Sequence, residues 1–60
     1  MKTDMEVAFL CEDRTFYTEI HEIPHDMDDT YETSVLEWFE TQRFKPEYNK
    51  VLTACFFAEV

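Results

Sequence analysis

Not one of the 60 residues is glycine. Every tight turn must therefore be made by a residue with a Cβ, for which the left-handed conformation costs roughly 1–2 kcal/mol. Loops that cradle phosphate need glycine for close backbone approach, so they are excluded. The chain has to fold from regular elements joined by polar turns. Its 60 residues allow one domain, residues 1–60. A domain of this size buries only about 60% of the surface its unfolded chain exposes. Such domains commonly rely on disulfides, a metal or a second subunit. Cys11 and Cys55 are the only cysteines, so a disulfide-rich scaffold is excluded. The hydrophobic fraction of 45% and aromatic fraction of 17% are too high for a disordered chain. They also exceed what a thin core hides, which predicts association.

Fourteen acids against five Lys or Arg give a formal net charge of -9. Such a balance bears on partners rather than on fold. It repels nucleic acid and anionic membranes and attracts basic surfaces. Between Thr15 and Gln42 there is no Lys or Arg, while Glu19, Glu22, Asp26, Asp28, Asp29, Glu32, Glu37 and Glu40 all fall there. A solubility surface explains many acidic proteins. Self-repulsion over nearly half of a marginal domain argues for a use. Met1-Lys2-Thr3-Asp4 leads into no apolar signal region, and Val51 to Ala58 is far short of the roughly 20 residues that span a bilayer. The expected setting is the cytoplasm, with both thiols reduced.

Met5 to Cys11 alternates as a strand, Val7, Phe9 and Cys11 against Glu6, Ala8 and Leu10. After the polar break Glu12-Asp13-Arg14, Thr15 to Ile23 reads as a second strand, which predicts a β-hairpin. Asp13 is the candidate for the left-handed turn position. Pro24 ends the second strand, and Pro24 to Asp29 forms an acidic loop. A helix is expected from about Asp29, with Asp29 and Glu32 at capping-box spacing. Tyr31, Val35, Trp38 and Phe39 fall on one helical stripe, with Glu37 and Glu40 off it. Val51 to Val60 reads as a third strand, apolar on both faces and hence buried on both sides. The fold class is α+β, in ββαβ order: a three-stranded antiparallel sheet with one helix packed on it. The second face of that sheet, or the edge of its last strand, is expected to meet another subunit.

Catalytic constellations are weak. Cys11 or Cys55 with His21 or His25 would be needed for thiol chemistry, but both cysteines lie in apolar strands, where Cys serves as a small hydrophobe. His21 and His25 have H-x₃-H spacing, which is useful on a helix, yet Pro24 separates them, and no short-spaced Cys pair accompanies them. No metal or cofactor is expected. Asp26, Asp28 and Asp29 lack the central glycine of a calcium loop. A sugar-hydrolysing carboxylate pair would need a cleft that so small a domain does not offer. The chain is therefore read as non-enzymatic.

What remains is an acid series with aromatic residues among it. Proteins that bind DNA present basic grooves, and several insert an apolar side chain into the duplex or flip out a base. Carboxylates placed where phosphates would lie can fill such a groove, and electrostatic steering speeds the encounter. Val35 and Phe39 suit the core of the chain, whereas Trp38 sits at the margin of the helical stripe and suits contact.

The segments Met5-Glu6-Val7-Ala8-Phe9-Leu10-Cys11-Glu12-Asp13 and Phe16-Tyr17-Thr18-Glu19 resemble the hairpin of the small phage-encoded inhibitors of uracil-DNA glycosylase, of the dimeric type found in small Bacillus podoviruses. Beyond Ile23 the likeness is one of element order. The resemblance implies a homodimer that enters the DNA-binding groove of a host uracil-DNA glycosylase and sequesters its intercalating leucine. It further implies Glu19, Glu22, Glu37 and Glu40 as phosphate mimics, and Val35, Trp38 and Phe39 as lining of the leucine pocket. The hairpin turn without glycine and the long apolar last strand depart from that pattern. Two other functions are compatible with the composition: a DNA mimic against a restriction or CRISPR nuclease, or a small assembly subunit whose acidity serves solubility.

Overall fold

A computed structural model describes all 60 residues. Its elements are β1 (Lys2–Cys11), β2 (Phe16–Pro24), α1 (Tyr31–Gln42), a single 3-10 turn (Pro46–Tyr48) and β3 (Val51–Glu59). The three strands form one antiparallel sheet in the order β2-β1-β3, with α1 packed across one face. The architecture is the expected α+β arrangement. Because β2 and β3 both oppose β1, they run parallel to each other on its two flanks. The helix is the crossover between them. No helix is long and apolar enough to cross a membrane.

Strand alternation sets the two faces. Met5, Val7 and Phe9 point toward the helix and are fully buried. They form the core with Ile23, Val35, Phe39, Tyr48 and Ala54. Phe9 is the hub. Its ring stacks on Tyr48 at 5.0 Å and on Tyr17 at 5.1 Å, and it meets Phe39 at 6.1 Å and Trp38 at 6.3 Å. Tyr48 is a core residue that sequence reasoning passed over. Pro46 starts the short turn that carries it into the core. β1 also starts earlier than its apolar pattern, because Lys2, Thr3 and Asp4 pair through the backbone with Pro24, Ile23 and Glu22.

Three local expectations are corrected. The left-handed residue of the hairpin turn is Arg14, with φ 72°, and not Asp13. Asp13 serves the turn through its side chain: Oδ1 accepts from the Thr15 backbone N–H at 3.0 Å and from the Thr15 hydroxyl. These bonds, the side-chain one foremost, hold its carboxyl below the usual value. With the short acceptor at Asp13, the strained position falls on the next residue. Arg14→Gly is expected to stabilise the fold by about 1 kcal/mol, the cost of a Cβ in this conformation, as read from the urea midpoint.

The helix is capped by Thr30, not by Asp29 with Glu32. The Thr30 hydroxyl accepts from the Thr33 backbone N–H at 3.1 Å. Asp29 is drawn into the preceding turn, its N–H bonded to the Asp26 carbonyl at 3.0 Å. Glu32 reaches across to β3, where Oε2 accepts from the Phe56 backbone N–H at 3.1 Å. Removing the cap by Thr30→Ala should cost about 1 kcal/mol, and Asp29→Ala much less. Thermal melts of the two variants check this.

β3 is not buried on both sides. It is an edge strand, bonded to β1 alone. Ala54 and Phe56 face the helix, with Ala54 fully buried. Register shifts at Glu6/Val7 and at Leu10/Cys11 leave Phe57 and Leu52 without a partner on β1. Such bulges break the alternation of the strand. Phe57 and Leu52 are 55% and 60% exposed. The unbroken apolar run therefore records two bulges, not burial on two faces.

Candidate functional site

α1 lies closer to β3 than to β2, so the helix-facing side of β2 is left partly open. A shallow depression of about 220 Å³ forms there, lined by Pro24 at the end of β2 and by Ser34, Glu37, Trp38 and Thr41. The four helix residues are spaced i, i+3, i+4 and i+7, so they share one face. Trp38 forms the wall toward the sheet. Its ring lies 4.8 Å from the His21 ring, which in turn meets Phe9 edge-on at 5.9 Å. His21 Nε2 lies 2.9 Å from Glu19 Oε1. At the other end, His25 Nδ1 and the buried Ser34 hydroxyl are 2.8 Å apart.

The residues expected at a partner site fall into different places. Glu37 is exposed and lines the depression, and Trp38 is half-buried beside it. Glu19 is on the same side, engaged by His21, and its charge helps to raise the Tyr17 phenol, for which burial is the larger cause. Glu22 lies on the opposite face of β2, with Oε1 3.9 Å from Lys2 Nζ. Glu40 is exposed but bonded to Arg43 at 3.0 Å. Exposed pairs of this kind contribute about 0–1 kcal/mol. Val35 and Phe39 are 0% and 2% exposed. Their side chains fill the core of the single chain and are not available to line a pocket for a partner. The structure thus places Glu37 and Trp38 in one depression, links Glu19 to Trp38 only through His21, and sets Glu22, Glu40, Val35 and Phe39 elsewhere. His21, Pro24, Ser34 and Thr41 were not foreseen. Helical spacing links Ser34 and Thr41 to Trp38, and strand alternation links His21 to Glu19.

Charge is segregated along the molecule. The hairpin turn and the α1–β3 connection lie at one end, tied by the Glu12 N–H to the Lys50 carbonyl at 3.0 Å. Arg14, Arg43, Lys45 and Lys50 are all in these segments, beside Glu12, Asp13 and Glu47. The β2–α1 loop and the end of β3 lie at the other end, where the Tyr31 hydroxyl donates to Glu59 Oε1 at 2.7 Å. Asp26, Asp28, Asp29, Glu32 and Glu59 belong to that end, with Lys2 the one basic side chain near them.

No family, curated protein or solved structure matches the chain.

The thiols are not paired with an imidazole. Cys11 and Cys55 are half-buried and free. Burial, and then the charge of Glu32, push the Cys55 thiol up, which keeps it protonated at neutral pH. His21 and His25 are engaged by Glu19 and Ser34. No three His, Cys, Asp or Glu side chains gather as a metal site would require. The depression sets the Trp38 ring beside the Glu37 carboxylate.

Proposed function

We propose that this chain is an acidic, non-catalytic DNA mimic that inhibits a host uracil-DNA glycosylase by occupying its DNA-binding groove. The observation that carries the reading is the segregation of charge. The depression with Glu37 and Trp38, and Glu19 beyond His21, belong to the segment from Thr15 to Gln42 that holds no Lys or Arg. Arg14, Arg43, Lys45 and Lys50 are confined to the hairpin turn and the α1–β3 connection, with Arg43 just beyond Thr41 of the depression. A basic groove is thus met by a surface richer in carboxylates than in cations, which favours steering and fast association. Trp38 and Pro24 supply the apolar contact for an intercalating leucine, the part earlier assigned also to Val35 and Phe39. The choice of target rests on the resemblance of residues 5–13 and 16–19 to the phage inhibitors.

The test is excision of uracil from DNA by a bacterial uracil-DNA glycosylase, with and without an equimolar amount of this chain. Stoichiometric loss of excision is expected. Full excision in the presence of folded protein contradicts the assignment and leaves a restriction or CRISPR nuclease as the next target. The reading as an assembly subunit is favoured by a separate feature, the exposed apolar side chains Phe16, Ile20 and Phe57. It is distinguished by salt. Mimic binding weakens as the Debye length falls from about 10 Å at 0.1 M to about 3 Å at 1 M, whereas an apolar subunit contact holds.

A further inference from the structure

We infer that the outer edge of β2 takes up an extended basic segment of a partner protein, added antiparallel as a fourth strand of the sheet. The contact is backbone pairing at a strand edge, so it goes beyond the groove-filling reading and stands without it.

The sheet has two edges, and they differ. At β3, Glu32 Oε2 already accepts from the Phe56 N–H, and register shifts at Glu6/Val7 and Leu10/Cys11 disturb the ladder. Both features keep an edge strand from pairing further. β2 carries neither. Its register with β1 runs unshifted from Lys2↔Pro24 to Leu10↔Phe16. The bonds at the two ends of the hairpin fix which groups face outward. The Cys11 N–H donates to the Thr15 carbonyl at 2.9 Å, and the His25 N–H to the Met1 carbonyl at 2.8 Å. Bonded pairs alternate along an antiparallel ladder, so Tyr17, Glu19, His21 and Ile23 turn their backbone groups to β1. Phe16, Thr18, Ile20 and Glu22 turn theirs away, and no strand lies beyond them. Side chains accept from the backbone N–H of Thr15, Thr33 and Phe56 alone, so none covers this edge. A row of unpaired N–H and C=O groups is a template for another strand. Addition of an extended peptide to such an edge is a recurring mode of recognition.

Charge selects the occupant. β2 holds Glu19 and Glu22 and no Lys or Arg. Glu37 stands on the helix side of the same edge, lining the depression with Pro24 at the end of β2. A second copy would bring another strand of the same sign, net -9 against net -9. A basic segment gains attraction instead. Strand alternation separates its two faces. Positions opposite Tyr17, Glu19 and His21 share the helix side with Glu19 and Glu37, where Lys or Arg meets opposite charge across the strands. Positions opposite Phe16, Thr18 and Ile20 lie on the other face, which also carries Glu6 and Glu22. There Phe16 and Ile20, 60% and 61% exposed, offer apolar surface to be removed from water. The partner segment is therefore an extended stretch in which basic and apolar residues alternate.

The probe is an end-blocked octapeptide of alternating Lys and Val, titrated with the full chain at low salt and followed by the anisotropy of a label on the peptide. Saturable binding is expected, with slowed hydrogen exchange at the amides of Phe16, Thr18, Ile20 and Glu22. Two N-methylated peptides of the same charge separate backbone pairing from simple attraction. With Lys on the helix side, the Val N–H groups point to β2 and the Lys N–H groups point to solvent. Methylation of the Val nitrogens should weaken binding at least about tenfold, and methylation of the Lys nitrogens by less than about threefold. Equal affinity of the two forms overturns the proposal, as does a parent peptide that does not bind at about 1 mM. Ile20→Pro tests the protein side. It removes an N–H that faces outward, at a kind of position where edge strands accept Pro. It should weaken peptide binding at least about tenfold with an unchanged circular dichroism spectrum. A folded Ile20→Pro that binds like wild type overturns the proposal, and should it not fold, the N-methylated pair decides. None of these readouts involves a glycosylase, so their failure is separate from failure of the inhibition assay.

Discussion

Phe9→Ala is expected to leave a chain that does not fold cooperatively at 25 °C. Phe9 is fully buried at the centre of the only core cluster, between Tyr48 and Tyr17 and against Phe39 and Trp38. Truncation of a buried Phe costs about 3–5 kcal/mol, because the cavity left behind adds to the lost transfer energy. At about 0.05–0.15 kcal/mol per residue, a 60-residue domain has only about 3–9 kcal/mol in total. Four aromatic rings would lose their shared neighbour, and the edge of so small a core lies too close to collapse inward without exposing Val35 or Ile23. Far-ultraviolet circular dichroism during urea titration reads the outcome. A cooperative transition shifted by less than about 1 kcal/mol would show that the core is organised around another residue.

The second large effect concerns binding. Glu19→Lys with Glu37→Lys raises the net charge from -9 to -5 and places one cation next to Trp38 in the helix and one beyond His21 on β2. Association with a basic partner is expected to slow on the order of a hundredfold at low salt, within the range that steering supplies. The difference should shrink as salt rises. Both side chains are exposed, and the Glu19–His21 contact is an exposed pair, so the fold is expected to persist. Stopped-flow association measured at two ionic strengths distinguishes this from a structural lesion. An equal loss at both, or a changed circular dichroism spectrum, would place the effect outside electrostatics. The same reversal at Glu22 and Glu40 is expected to have the smaller effect, since Glu22 is on the other face and Glu40 is held by Arg43.

Periodicity made the fold legible. The alternation of Val7 and Phe9 and the helical spacing of Tyr31, Val35, Trp38 and Phe39 identified the faces that pack together. Caps and turns were less legible, because several short polar residues stand side by side and compete for one role. Asp29 and Thr30 are both good caps, and the structure uses Thr30. Asp13 and Arg14 adjoin, and the strained conformation falls on Arg14 because Asp13 spends its carboxylate on Thr15. The third strand was misjudged because a bulge leaves no mark in an apolar run: Phe56 and Phe57 look equivalent in sequence, yet Phe56 pairs with Val7 while Phe57 is the bulged residue before Ala58, which pairs with Glu6. In the site, charge was legible as a segment but not as a surface. The sheet places Glu19 and Glu22 on opposite faces because they are three residues apart on a strand of period two. Val35 and Phe39 were legible as apolar stripe, which by itself does not say whether the stripe faces this chain's sheet or a partner.

Calorimetric titration of this chain into a bacterial uracil-DNA glycosylase, with and without saturating duplex DNA, tests the central claim most directly. Tight stoichiometric binding is predicted in the absence of DNA, lost when DNA occupies the groove and weakened at 0.5 M salt. Binding that is indifferent to DNA, or no binding at any salt concentration, would contradict it.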